Sequence, residues 1–351
     1  MQNFDLKQLG WNSSIRDQLL GQGLERLPHA TLLVGPAGVG KAAFSEQLAA
    51  LLLCESAAKE RGACGECQAC RWLDAGNHPD FRRVAADGGD DTEDGAADKA
   101  GDKPKKRSAK IIKIDQIREL EAFVFVGSHR NGNRVVLITD ADAMNSPAAN
   151  ALLKILEEPP SSVYFILVSS KTKSLLPTLR SRCRVIPFSP PPAAAGAAWL
   201  AGAGLEKQAV RYLDLAGGAP MRVAQWKDEG QLAPIDAVVD SLISPPADPL
   251  ALAARWDSLL KGDGLFRMEH LVEAVQRWLC DLALDRMAGQ VRYHGGWPRP
   301  KGVTELNPAA LLGAWREINQ FRRSARHPLN QLLFLEEIAA HYLRALRPGT
   351  S

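Results

Sequence analysis

The run Gly35-Pro36-Ala37-Gly38-Val39-Gly40-Lys41 has the spacing of a phosphate-binding loop: a glycine, four residues, then Gly-Lys. Gly35, Gly38 and Gly40 would let backbone N–H groups turn inward around an anion, and a helix starting at Lys41 would add the positive end of its dipole. The flanks suit this. Ala30–Val34 is short and apolar and predicts a buried strand, and the Ala- and Leu-rich run from Lys41 to Leu53 predicts the helix that follows. The competing reading is a glycine-rich turn that binds nothing. Position 42 departs from a working loop. Ser or Thr there would ligate Mg2+, whereas the methyl group of Ala42 cannot. A second apolar run, Val135–Thr139, leads into Asp140, the place of a metal-linked carboxylate. The next residue, where a carboxylate would polarise the attacking water, is Ala141. What remains is a degenerate site made of the three glycines, Lys41 and Asp140. It predicts weak or no ATP binding and essentially no hydrolysis by this chain.

A second group could hold metal. Cys54, Cys64, Cys67 and Cys70 are separated by nine, two and two residues. Four thiolates so close can close a tetrahedral zinc site, and with no open position its role would be structural. Redox thiols or an iron–sulfur cluster are the alternatives. Cys183 and Cys280 stand alone and read as small apolar residues. A third group is Arg180, Arg182 and Arg184, at alternate positions after an apolar run over Val163–Val168. Alternation suits a solvated strand edge. At the rim of a sheet such an arginine can also reach a γ-phosphate held by a neighbouring subunit.

These residues need a scaffold. Three buried strands alternating with helices imply an α/β domain with a mostly parallel sheet. Asp115–Phe123 has helical spacing. Another helix is expected from Ser146-Pro147, with Ser as cap and Pro in the first turn, to its stop at Pro159-Pro160. Residues 86–110 are acidic and then basic and almost lack large apolar side chains, so a disordered surface insertion is expected. Its basic end could touch DNA, or it is a solvated loop. Pro190-Pro191-Pro192 reads as a hinge into an all-α half, with helices expected over 193–202, 205–216, 249–261, 266–288, 308–325 and 329–346 and an irregular loop over 289–304. With 351 residues, 46% hydrophobic and 24% charged, the chain can build two or three cores. A net charge of +3 neither demands nor excludes nucleic acid. The start of the chain does not read as a signal peptide and no run suits a membrane helix, so a cytoplasmic protein without membrane contact is expected.

Several segments together match one family. Asn77-His78-Pro79-Asp80 after the cysteines, the run from Asn150 to Pro160 and Ser181-Arg182-Cys183 resemble the bacterial clamp-loader subunits of DNA polymerase III, which are AAA+ proteins. The likeness is dense over roughly residues 1–225. Beyond, only helical character and the segment from His327 to Leu335 are suggestive. Ala42 and Ala141 point to a non-motor member rather than the motor subunits gamma and tau. Aligned on Gly218, the phosphate-sensing arginine of the motors is replaced by Met221, with Arg222 adjacent. The resemblance implies an AAA+ domain over 1–188 with a zinc module at 54–80, a helical lid over 189–232, and a helical collar over 233–351 that holds a five-subunit ring. It implies Arg182 as an arginine finger acting in trans. It implies gamma/tau, delta, the sliding clamp and primed DNA as partners, within a polymerase holoenzyme. Lys154 is then a candidate DNA-phosphate contact, or else a plain exposed helix lysine. Two rivals stay open: an ATPase motor subunit of the same loader that works despite Ala42, and a stand-alone zinc-containing DNA-binding protein.

Overall fold

The computed structural model describes residues 10–21, 23–56, 62–86, 111–125, 132–262, 266–321 and 330–347. Most of the expected insertion and the segment His327–Leu329 lie outside them. The chain divides into two compact units, Met1–Ser189 and Pro190–Ser351.

The first unit carries five strands: β1 (Ala30–Val34), β2 (Phe81–Val84), β3 (Arg134–Ile138), β4 (Val163–Ser169) and β5 (Arg184–Pro187). Their order is β2-β3-β4-β1-β5, and every pairing is parallel. The helices are α1 (Ser13–Leu20), α2 (Lys41–Leu53), α3 (Gln68–Asp74), α4 (Ile114–Phe125), α5 (Ser146–Glu157) and α6 (Pro177–Arg182). All five residues of β1 and of β3 are buried, as a parallel sheet covered on both faces requires. That is why these strands read as unbroken apolar runs.

Three expectations are corrected. β2 and β5, the outermost strands, have no such run; each has four residues, includes arginine and is largely exposed. The alternate arginines do not mark a strand edge. Pro177 starts a helix, and Arg180 and Arg182 lie in its last turn; only Arg184 belongs to a strand. The cap of α5 is Asn145, not Ser146: its side chain accepts the N–H of Ala148 at 2.9 Å. Asn and Ser are near-equal caps, so sequence alone could not separate neighbours.

The second unit is helical: α7 (Ala193–Gly202), α8 (Ala209–Leu215), α9 (Pro220–Asp228), α10 (Leu232–Ile243), α11 (Pro249–Leu260), α12 (Met268–Ala288), α13 (Pro308–Phe321) and α14 (Gln331–Ala345). α9 and α10 were not foreseen, and the helix expected over 205–216 opens instead as a 3-10 turn, Glu206–Gln208. Trp256, Tyr212 and Tyr342 are fully buried here. Trp278 Nε1 donates to the Tyr342 hydroxyl at 3.0 Å, and that hydroxyl donates to the Leu242 carbonyl at 2.5 Å. The irregular loop after α12 is held firmly. Asp281, buried, accepts the backbone N–H groups of Arg292, Tyr293 and His294 and pairs with His294 Nδ1 at 2.7 Å. Among the described residues, no helix is long and apolar enough to cross a membrane.

Candidate phosphate loop, metal site and arginine edge

The phosphate loop joins β1 to α2 at the C-terminal end of the sheet. Gly35 has φ of 152°, and a Cβ there would stand 2.2 Å from the Phe188 carbonyl oxygen, so only glycine fits. Gly40 caps α2 with φ of 100°. Lys41 does not reach out. Its ammonium folds back and donates to the carbonyls of Gly35 at 2.8 Å and Pro36 at 2.5 Å. Burial pushes its pKa down to about 8, opposed by the nearby Asp142 carboxylate. The loop is also gripped from outside: Trp11 Nε1 donates to the Val39 carbonyl at 3.2 Å and Asn12 Nδ2 to the same oxygen at 3.5 Å. Ala42 is exposed on the first turn of α2 and offers a methyl group where a metal would need oxygen. Asp140 is exposed just past β3 and accepts from the Thr139 hydroxyl at 3.2 Å. Ala141 is buried. Asp142, which sequence reasoning passed over, accepts the Ser170 N–H at 2.9 Å.

The four cysteines meet. Cys54 follows α2 directly, Cys67 caps α3, and the four Sγ atoms lie within 4.8 Å of one another. Cys54 and Cys64 sulfurs are 3.6 Å apart and those of Cys64 and Cys70 are 3.9 Å apart. Zn–S bonds of about 2.3 Å in a tetrahedron place sulfurs about 3.8 Å apart, so the donor set suits such an ion. Backbone N–H groups of Cys64, Cys67 and Cys70 point at the sulfurs of Cys54, Cys64 and Cys67 at 3.3–3.4 Å. The Cys67 N–H, first among several donors, holds the Cys64 thiol down at about 6, whereas burial raises that of Cys70.

Asn77-His78-Pro79-Asp80 fastens this module to the sheet. His78 Nδ1 accepts the Asp80 N–H at 3.1 Å, and the His78 ring meets Trp72 edge-on. The Asp80 carboxylate pairs with Arg134, the first residue of β3, at 3.2 Å, and both side chains are under 5% exposed. Arg134 also donates to the Phe123 carbonyl and lies over the Phe123 ring.

Arg182 closes α6. Cys183 beside it is buried, and burial raises its thiol pKa to about 11, so it is an inert anchor. Cys280 is only half-buried. The Ser181 hydroxyl donates to the Thr178 carbonyl at 2.9 Å. Arg182 Nη1 shares that carbonyl at 3.3 Å, and Nη2 pairs with Glu157 of α5 at 2.5 Å. Arg184 stands opposite Thr31 in the register, and Pro187 opposite Val34. Arg182 therefore sits at the start of the strands and the phosphate loop at their ends, about 10 Å further along. This arginine and this loop are at opposite ends of one sheet. Lys154 is exposed on α5, one turn before Glu157. In the second unit Arg222 is occupied: it pairs with Glu273 at 2.8 Å and lies over the Trp226 ring.

The family described as DNA polymerase III, delta subunit, matches residues 19–192. DNA polymerase III subunit delta′ of Pseudomonas aeruginosa is 38% identical over 255 residues, 71% of this chain and 71% of that protein. The chain belongs to the DNA polymerase III delta′ family. Its Escherichia coli relative of that name is 34% identical over 172 residues, 49% of this chain and 46% of that protein. Among solved structures, a gamma-subunit-related DNA polymerase III protein of Thermotoga maritima is similar over 97% of this chain and 100% of its own, at 14% identity and a TM-score of 0.46.

Proposed function

We propose that this chain is a non-motor subunit of the bacterial DNA polymerase III clamp loader. It helps place a sliding clamp on primed DNA without turning over ATP itself. In this reading residues 189–232 form the lid and 233–351 the collar that assembles with gamma/tau and delta. The cysteine cluster holds a structural zinc ion, and Lys154 faces DNA phosphate. Arg182 serves a neighbouring motor's ATP site.

The observation that carries the reading is the separation of two half-sites. The chain's own loop lacks a metal-ligating oxygen at Ala42 and a water-polarising carboxylate at Ala141, and Lys41 is engaged by loop carbonyls. Arg182, half-exposed, stands at the other end of the sheet, away from the phosphate loop of its own chain. The rival reading, an active motor, needs a carboxylate beside Asp140. Asp142 is near, but its Oδ1 is already bonded to the Ser170 N–H.

The test is DNA-stimulated ATP turnover by a loader reconstituted from motor subunits, delta, clamp and this chain. An arginine finger is worth about 10³–10⁵ in rate at its own site. Arg182→Ala is expected to abolish turnover at one interface with the ring still assembled. Unchanged turnover and clamp loading would remove the trans role. ATP hydrolysis by the isolated chain would restore the motor reading.

A further inference from the structure

We infer that Glu157 is the positioning residue for Arg182, fixing the direction in which the guanidinium meets a neighbour's phosphate. The inference rests on the reading of Arg182 given above. Glu157 is the last residue of α5 and Arg182 the last of α6. One guanidinium nitrogen is held by the Glu157 carboxylate at 2.5 Å and the other by the Thr178 carbonyl at 3.3 Å. Two fixed points on a planar fork set its orientation, and three of the five N–H donors are left over for an anion. The backbone beneath is already rigid. Leu179 and Cys183, on either side of Arg182, are buried in the same core as Leu152, Ile155 and Leu156 of α5. Only the long side chain remains to be oriented, and Glu157 is what orients it.

The pair is exposed, 36% at Arg182 and 51% at Glu157. Exposed ion pairs contribute little to folding. The role of a contact this short at the surface, on a residue flanked by the buried Leu179 and Cys183, is therefore to be sought in the reaction rather than in stability. An arginine that arrives with its rotamer chosen loses less entropy on meeting phosphate, and preorganised charge acts on the transition state. The effect belongs in kcat.

The experiment uses the reconstituted loader with four variants of this chain: Arg182→Ala, Glu157→Gln, Glu157→Asp and the Arg182→Ala/Glu157→Gln double. Glu157→Gln is expected to lower kcat at the affected interface roughly tenfold with KM for ATP unchanged. Glu157→Asp is expected to recover part of the loss. The double variant is expected to fall no lower than Arg182→Ala alone, because both changes act through one guanidinium. If Arg182→Ala lowers turnover and Glu157→Gln does not, the positioning role is overturned while the finger stands. If the two losses multiply, or KM carries the effect, Glu157 acts elsewhere and the inference also falls. If Arg182→Ala itself changes nothing, the finger reading fails first, and this one with it.

Discussion

Lys41 turns back onto its own loop. Its ammonium is buried against two carbonyls of its own loop, and its pKa falls to about 8 from 10.5. A lysine whose folded pKa is lowered sheds its proton in the folded state before the unfolded chain does. Stability from this group is therefore flat below pH 8 and rises between about 8 and 10.5. Lys41→Met is expected to flatten that rise, measured as urea midpoints across the interval; an unchanged slope would mean the ammonium is not buried in solution. The placement of the glycine loop and the meeting of the four cysteines were legible, because spacing within a short run is enough to recognise them. The missing parts come from distant sequence. Trp11 and Asn12 bond Val39 across 28 and 27 residues. The Glu157–Arg182 pair spans 25. No local pattern announces a contact of that kind.

At the scale of elements, legibility followed burial. The interior strands β1, β3 and β4 have long apolar runs because both faces are covered. The edge strands β2 and β5 bury one residue each, which is too little pattern to read. Helix α6 was missed for another reason. It is a single short segment, Pro177–Arg182, and three arginines at every second place imitate strand alternation. The cysteine module is an element built of helix ends: the C-terminus of α2 and the cap of α3 bring sulfurs together that the chain separates by up to 16 positions, from 54 to 70. Metal should hold α3 in place. One equivalent of zinc per chain is expected by elemental analysis, with Cys67→Ser losing it and Cys183→Ser retaining it. Replacement by Co2+ should give the intense colour of a thiolate site. Zinc retained by Cys67→Ser would remove that residue from the ligand set.

At the scale of the molecule, each unit has its own core. One centres on the buried strands β1 and β3, the other on Trp256, Tyr212 and Tyr342. Separate cores predict separate melting. Calorimetry is expected to resolve two transitions, and chelation is expected to lower only one, because all four cysteines belong to Met1–Ser189. A single transition that shifts as a whole on chelation would show that the two cores melt as one cooperative block. The helical unit was the less legible of the two. Its class was plain from apolar spacing, but α9 and α10 were not foreseen, and the loop after α12 is held in part by a buried carboxylate, Asp281, with partners 11 to 13 residues away.

The two outer strands carry a consequence of their own. A parallel sheet ends in rows of backbone N–H and C=O groups that invite a further strand from any passing chain. Here both borders are four residues long and bear guanidinium groups: Arg82 and Arg83 on β2, Arg184 on β5. Charge on a short border is a deterrent to sheet extension. A polypeptide with such borders is expected to stay dispersed on its own. Its least legible strands are therefore expected to disfavour fibrillar self-association.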